Sequence, residues 1–232
     1  MYKYLLWDID GTVLDFLASE KYAINFLFEK FGFGKCSDEM LKKYSEINTS
    51  YWRRLERNEL SKSEVLVGRF REFFKLYGID ESYAEAFNEE YQPALGECIE
   101  FVENAKETIL DCKGKYVLAA VTNGTKRAQE KKLKHSGLDK IFDAIFISED
   151  VGSEKPNKDF FDFVFEKLKI TDKREALIIG DSLTSDMKGG FLAGIDTCWF
   201  NPNHKSAPSD FDITYEIDNI GKLNLLIEKS GI

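Results

Sequence analysis

The sequence predicts an α/β protein, a doubly wound parallel sheet interrupted early by an inserted helical segment. Three observations carry this. A short apolar run, Tyr2 to Trp7, opens the chain and is closed by the turn-forming Asp8-Ile9-Asp10-Gly11-Thr12, as expected of a buried strand leading into a turn. From about Ser19 to Pro93 apolar residues recur instead at three- and four-residue spacing, the period of amphipathic helices. After Pro93 strand-like and helix-like stretches alternate, the pattern of a parallel sheet with right-handed crossovers.

Each element follows in order. The helical stretch carries Tyr22, Phe26, Phe28 and Phe31 early, and Val65, Phe70, Phe73 and Phe74 later. Helix starts are expected at Ser37-Asp38-Glu39, at Ser61-Lys62-Ser63-Glu64 with the spacing of a capping box, and at Asp80-Glu81. A second strand runs from Tyr116 to Thr122 and closes on Asn123-Gly124, a turn signal. Further strands are expected near 142–148, 176–180 and 195–199, with helices near 125–136, 157–169 and 183–193. The expected division is therefore a Rossmann-like core of residues 1–17 and 94–232 and a helical insert of residues 18–93.

Composition narrows the class. With 43% hydrophobic and 31% charged residues and four prolines in 232, the chain is globular rather than disordered or fibrous. A net charge of −9 disfavours a nucleic-acid polymer or an anionic membrane as partner, while a local group of cations still allows a small anionic substrate. No apolar run reaches the ~18 residues of a membrane span, and Asp8 follows the first run too soon for a signal peptide, so a cytoplasmic location is expected. Cys36, Cys98, Cys112 and Cys198 form no Cys-x-x-Cys pair and read as reduced thiols. His135 and His204 read as ordinary solvated residues. Arg53, Arg54, Arg57, Arg69 and Arg71 read as a solvated helix face.

In such sheets ligands bind beyond the carboxyl ends of the strands, where strand order reverses. The unusual polar residues fall there. Asp8 and Asp10 follow the first strand, Thr122, Asn123 and Gly124 the second, Lys155 lies in the loop after the third, and Gly180-Asp181-Ser182 closes the fourth.

This set suits phosphoryl transfer. A carboxylate with an ordinary pKa near 3.9 is ionised at neutral pH, so Asp8 can attack phosphorus without a histidine base and form an aspartyl phosphate. The obstacle is repulsion between that carboxylate and the phosphate dianion. Asp8 and Asp181, with the backbone carbonyl of Asp10, offer hard oxygen ligands to Mg²⁺, and Lys155 adds a second positive charge. Asp186 is placed to orient Lys155 or a metal-bound water. Asp10, turned toward the same pocket by Gly11, can protonate the leaving oxygen and later deprotonate the attacking water. Thr122, the amides of Asn123 and Gly124, and Lys155 can grip the non-bridging oxygens. Taken singly, each motif also describes a solvated turn, a calcium-loop fragment or a surface loop; together, in order and at strand ends, they describe one site.

Asp8-Ile9-Asp10-Gly11-Thr12-Val13, Thr122-Asn123, Lys155-Pro156 and Gly180-Asp181-Ser182 with Asp186 resemble the four motifs of the haloacid dehalogenase-like superfamily. The resemblance implies the roles just given, and implies that residues 18–93 form a helical cap closing over the substrate. True dehalogenases resemble this pattern without the second aspartate of the first motif, so Asp10 argues for a phosphatase. Gly68-Arg69-Phe70, Val121-Thr122-Asn123-Gly124, Ser148 to Gly152, Lys155-Pro156-Asn157 and Cys198 to Asn201 are similar to pyrimidine 5′-nucleotidases, which implies a nucleoside monophosphate, pyrimidines above purines, as the small phosphorylated substrate. Phosphoglycolate and sugar-phosphate phosphatases or mutases share the motifs. A non-catalytic phosphorylatable receiver shares the aspartate, threonine, lysine and Mg²⁺, but has no use for Asp10 or for a lid.

Overall fold

Among residues 1–207 and 209–229, which the computed structural model describes, six strands form one sheet. They are β1 (Tyr4–Trp7), β2 (Val117–Thr122), β3 (Ala144–Ile147), β4 (Ala176–Gly180), β5 (Asp196–Phe200) and β6 (Tyr215–Ile217). Side by side they run β3-β2-β1-β4-β5-β6, and every neighbouring pair is parallel. This is the Rossmann order, whose reversal falls at β1, so the crevice for a ligand opens at the end of that strand.

The strands are buried on both faces, which is why they read as continuous apolar runs. Alternate residues of each strand point to opposite sides. Leu5, Trp7, Leu118, Ala120, Leu177 and Ile179 join one apolar layer, while Leu6, Ala119, Val121 and Ile178 join the other.

Between β1 and β2 the chain builds α1 (Phe16–Lys30), α2 (Asp38–Glu56), α3 (Lys62–Leu76) and α4 (Ala84–Ala94). Ser37 caps α2, and Ser61 with Glu64 forms the expected capping box on α3. Asp80 caps a short 3₁₀ turn, Glu81–Tyr83, that leads into α4. The four helices share a separate apolar cluster centred on aromatics, with Phe70 5.0 Å from Phe87 and 5.1 Å from Tyr91 between ring centroids. The remaining helices are α5 (Ala105–Cys112), α6 (Lys126–Ser136), α7 (Ser148–Val151), α8 (Lys158–Leu168), α9 (Lys188–Ala193) and α10 (Leu223–Lys229). The aromatic residues Phe160, Phe161 and Phe165 of α8 fill the second layer against the sheet.

Several expectations need correction. Tyr22 and Phe26 are exposed and stack on each other, because α1 buries the neighbouring face of Ala23, Ile24, Leu27 and Phe28. Residues 183–193 divide into a π-helical turn, Leu183–Met187, followed by α9. β6 was not foreseen, since a three-residue edge strand is too short to show a period. Arg69 is 2% exposed, not on a solvated face. Its guanidinium donates to Asn48 at 2.7 Å and to Asn88 at 3.3 Å, and lies over the rings of Phe70 and Tyr91. Among the described residues all four cysteines are free thiols, and no helix is long and apolar enough to cross a membrane.

Candidate active site

The carboxyl ends of β1, β2 and β4 and the loop after β3 bring the predicted residues together. Asp8 leaves β1 buried, and its amide donates to the carbonyl of Ile179. Gly11 then takes φ +91, a left-handed conformation in which a Cβ would lie 2.9 Å from the Asp181 carboxylate. That turn lets the chain cross the site without displacing Asp181.

Lys155 is the centre of the charge arrangement and is 1% exposed. Its Nζ donates to Asp8 Oδ1 at 2.7 Å, to Asp186 Oδ1 at 2.6 Å and to the carbonyl of Val121 at 2.7 Å, which satisfies all three ammonium hydrogens. Burial alone would pull this lysine down, but Asp186 and Asp8 overcome that and hold it above its ordinary value. Asp186 accepts the Ser182 amide on its other oxygen at 3.1 Å. Gly180 makes room for it, since a Cβ there would lie 2.3 Å from the Asp186 carboxyl carbon. Asp186 thus orients Lys155 and the turn after β4.

The carboxylates crowd one another. One ligand oxygen from each of Asp8, Asp181 and Asp186 lies within 4.8 Å of the others. Burial, then repulsion from Asp186, pushes Asp8 up to about 7 against the pull of Lys155. Burial and the Asp8 charge push Asp181 up to about 7, and burial pushes Asp186 up to about 6. One ammonium does not neutralise three crowded carboxylates, two of them buried. With Asp186 committed to Lys155 and Ser182, Asp8 and Asp181 are the side chains with oxygens to offer a hard divalent cation, and their uncompensated charge fits one. Trp199 Nε1 fixes the Asp181 loop by donating to its carbonyl at 3.1 Å.

The residues after β2 do more bracing than expected. Thr122 is buried, and its hydroxyl accepts the Gly124 amide at 3.1 Å. The Asn123 side chain bridges to Lys155, accepting its amide and donating to its carbonyl, both at 2.8 Å. Asn123 therefore ties the end of β2 to the Lys155 loop.

Asp10 is half-buried and turned toward α6. Its Oδ1 accepts from Lys132 Nζ and its Oδ2 from Gln129 Nε2, each at 2.6 Å. Sequence reasoning missed these two residues, and also Thr12, whose buried hydroxyl lies 3.2 Å from Asp8 Oδ2 and 3.5 Å from Asp181 Oδ1. Thr12 stood inside the first motif and had a signal; Gln129 and Lys132 sat in a helix too polar for its inward face to be read. Polar contacts from the insert also reach this edge. Glu56 accepts from Thr184 after β4, and Lys62 donates to Ser148 Oγ at 2.7 Å.

A family model for haloacid dehalogenase-like hydrolases matches residues 5–200. The chain is 40% identical over 222 residues to the HAD-hydrolase YfnB of Bacillus subtilis, spanning 96% of this chain and 94% of that protein. It is 34% identical over 220 residues to the pyrimidine 5′-nucleotidase PynA of Streptococcus pneumoniae, spanning 93% and 91%. It is 28% identical over 191 residues to the pyrimidine 5′-nucleotidase YjjG of Escherichia coli, spanning 82% and 84%. The crystal structure of YfnB bound to magnesium, described as revealing interdomain movement, matches at a TM-score of 0.91 and 38% identity over 97% of this chain and 98% of that one. With the motifs, the sheet order and these matches in agreement, the chain belongs to the haloacid dehalogenase-like hydrolase family.

Proposed function

We propose that the protein is a Mg²⁺-dependent phosphomonoester hydrolase that forms an aspartyl phosphate on Asp8 and prefers nucleoside 5′-monophosphates, pyrimidines above purines. The observation that carries the chemistry is the buried Asp8 held at 2.7 Å by Lys155, with Asp181 beside it and Asp10 two residues on. Residues 1–17 and 94–232 are the catalytic core in this reading, and residues 18–93 the cap.

In the first step Asp8 attacks phosphorus, the bond to the ester oxygen breaks with its electron pair, and that oxygen takes a proton from Asp10. In the second step Asp10, now a carboxylate, takes a proton from water as the water oxygen attacks the phosphoryl group. The bond to Asp8 breaks, its pair returns to the carboxylate, and phosphate leaves. Thr122 and the Asn123 amide hold the non-bridging oxygens, joined by Lys155 and the Gly124 amide as these exchange the Val121 carbonyl and the Thr122 hydroxyl for phosphate. Asp8, Asp181 and the carbonyl of Asp10 would hold the Mg²⁺, which supplies positive charge against the phosphate. Asp10 separates this reading from a phosphorylatable receiver, which needs no acid for a leaving group.

The nucleotide preference rests on PynA and YjjG, which are pyrimidine 5′-nucleotidases, and on the half-buried Trp52 of α2. Base stacking on one aromatic ring is worth about 1–3 kcal/mol, enough for tenfold or more in preference. The test is kcat/KM for a panel of phosphomonoesters with Mg²⁺, for the protein and for Trp52→Ala. Nucleotides should lead, and the variant should lose on nucleotides while sparing a small aryl phosphate. A tenfold advantage for phosphoglycolate or a hexose phosphate would overturn the nucleotide assignment and leave the phosphatase chemistry standing.

A further inference from the structure

Lys132 is wholly buried, yet it takes no part in the steps above. A buried ammonium is costly unless paired, and its partner is Asp10 Oδ1 at 2.6 Å, with the Phe16 ring centroid 4.9 Å away. Gln129, 1% exposed, stands one turn earlier on the same face of α6 and donates to Asp10 Oδ2 at 2.6 Å. Both oxygens of one carboxylate are therefore gripped by one helix. An apolar pair would fill such a space at least as favourably, so packing alone gives no reason for this arrangement.

The helix that grips Asp10 is itself fixed from both sides. Its N-cap, Thr125, donates to Gln92 Oε1 of α4 at 2.8 Å. From Gln92 the bonds continue through Asn88, Arg69 and Asn48 to Glu20, a buried polar chain across the helical insert. On the other side Gly124 lies so close that a Cβ there would be 2.1 Å from Gln129 Nε2. Gln129 is thus wedged between the phosphate-end turn and Asp10.

We propose that Lys132, assisted by Gln129, is the positioning residue for Asp10, fixing the direction in which its carboxyl group meets the leaving oxygen and then the water. The inference rests on the reading of Asp10 as acid and base. Without the clamp, Asp10 is free to rotate about its side-chain bonds, and misplacement of a proton-transfer group costs rate rather than affinity.

The experiment compares Lys132→Met, Gln129→Met and Asp10→Asn by steady-state and rapid-quench kinetics on a nucleoside 5′-monophosphate and on 4-nitrophenyl phosphate, whose leaving group needs no acid. On the nucleotide, Lys132→Met should lower kcat with little change in KM. Its loss should be about tenfold greater on the nucleotide than on the aryl ester. On the aryl ester it should also accumulate phosphoenzyme, because the first step proceeds while the second lacks its base. Gln129→Met should show the same signature at smaller size, and carries the test if Lys132→Met does not fold. Equal loss on both substrates without phosphoenzyme, in a variant that folds, overturns the positioning role. If Asp10→Asn itself shows no leaving-group dependence, the reading of Asp10 falls and this inference falls with it.

Discussion

Replacing Lys155 by Met removes the charge while nearly keeping the length, so it tests the electrostatics of the site directly. Three donors vanish, at 2.7 Å from Asp8, 2.6 Å from Asp186 and 2.7 Å from the Val121 carbonyl. Asp8 and Asp186 are left buried together without a counter-charge. Breaking a buried pair by deleting one partner costs about 3–5 kcal/mol, which in a chain of this size lowers Tm by about 6–20 °C.

The pH dependence gives the sharper signature. With Lys155 present, burial and mutual repulsion already push Asp8 up to about 7 and Asp186 up to about 6; without it both rise further. A carboxyl whose folded pKa is raised binds protons that the unfolded chain releases, so stability is lost as pH rises toward the folded value. The deficit of the variant against the parent should therefore be largest at pH 8 and shrink toward pH 5, by up to about 1.4 kcal/mol per unit for each group. Urea unfolding of metal-free protein between pH 5 and 8 measures it. A loss below about 1 kcal/mol at pH 8, or one that does not change with pH, would refute the reasoning.

The same crowding should make metal-free protein less stable at pH 8 than at pH 6, since burial and mutual repulsion push Asp8 and Asp181 up to about 7. Mg²⁺ should accordingly raise Tm more at pH 8, and a scan showing equal gains at both would count against Asp8 and Asp181 as its ligands. Exhaustive chelation should abolish turnover, and full activity after it would sink the mechanism. Asp8→Asn should abolish turnover with an unchanged circular dichroism spectrum; residual phosphoenzyme formation would exclude Asp8 as nucleophile. Phe70→Ala should cost about 3–5 kcal/mol in urea unfolding, because the ring is fully buried among Phe74, Phe87, Tyr44 and Tyr91; a cost under 1 kcal/mol would mean the cluster repacks around the gap.

What the sequence disclosed and what it hid divide along physical lines. The central strands are short apolar runs closed by turns, and the site residues sit at those turns, so Asp8, Thr122, Lys155 and Asp181 were visible as strand-end polar groups. Capping at Ser37 and Ser61 is local chemistry and was equally visible. Arg69, Gln129 and Lys132 were not, because a polar residue buried by a partner from another element looks in sequence like a polar residue in water. Arg69 finds Asn48 and Asn88 at distances of about twenty residues along the chain, and Lys132 finds Asp10 across 122. Tyr22 and Phe26 erred in the other direction, since helical spacing marks a stripe without saying that a partner covers it.

The attachment of the helical insert follows from the same contrast between local and distant contacts. Its aromatic cluster is self-contained, except that it reaches Ala128 of α6. On that side the join is apolar and is reinforced by the buried bond from Thr125 to Gln92. On the opposite side, at the turn between α2 and α3, the contacts are polar: Glu56 to Thr184, Lys62 to Ser148, and Asn58 to Asn157 at 3.4 Å. Burial pushes the Glu56 carboxyl up and pulls the Lys62 ammonium down, each toward its neutral form, so water regains favourable solvation of both groups when the contacts part. Separation therefore costs least at the rim and most at α6. The clamp on Asp10 lies on the α6 side, so in the proposed mechanism the acid–base group is held at the costlier of the two joins.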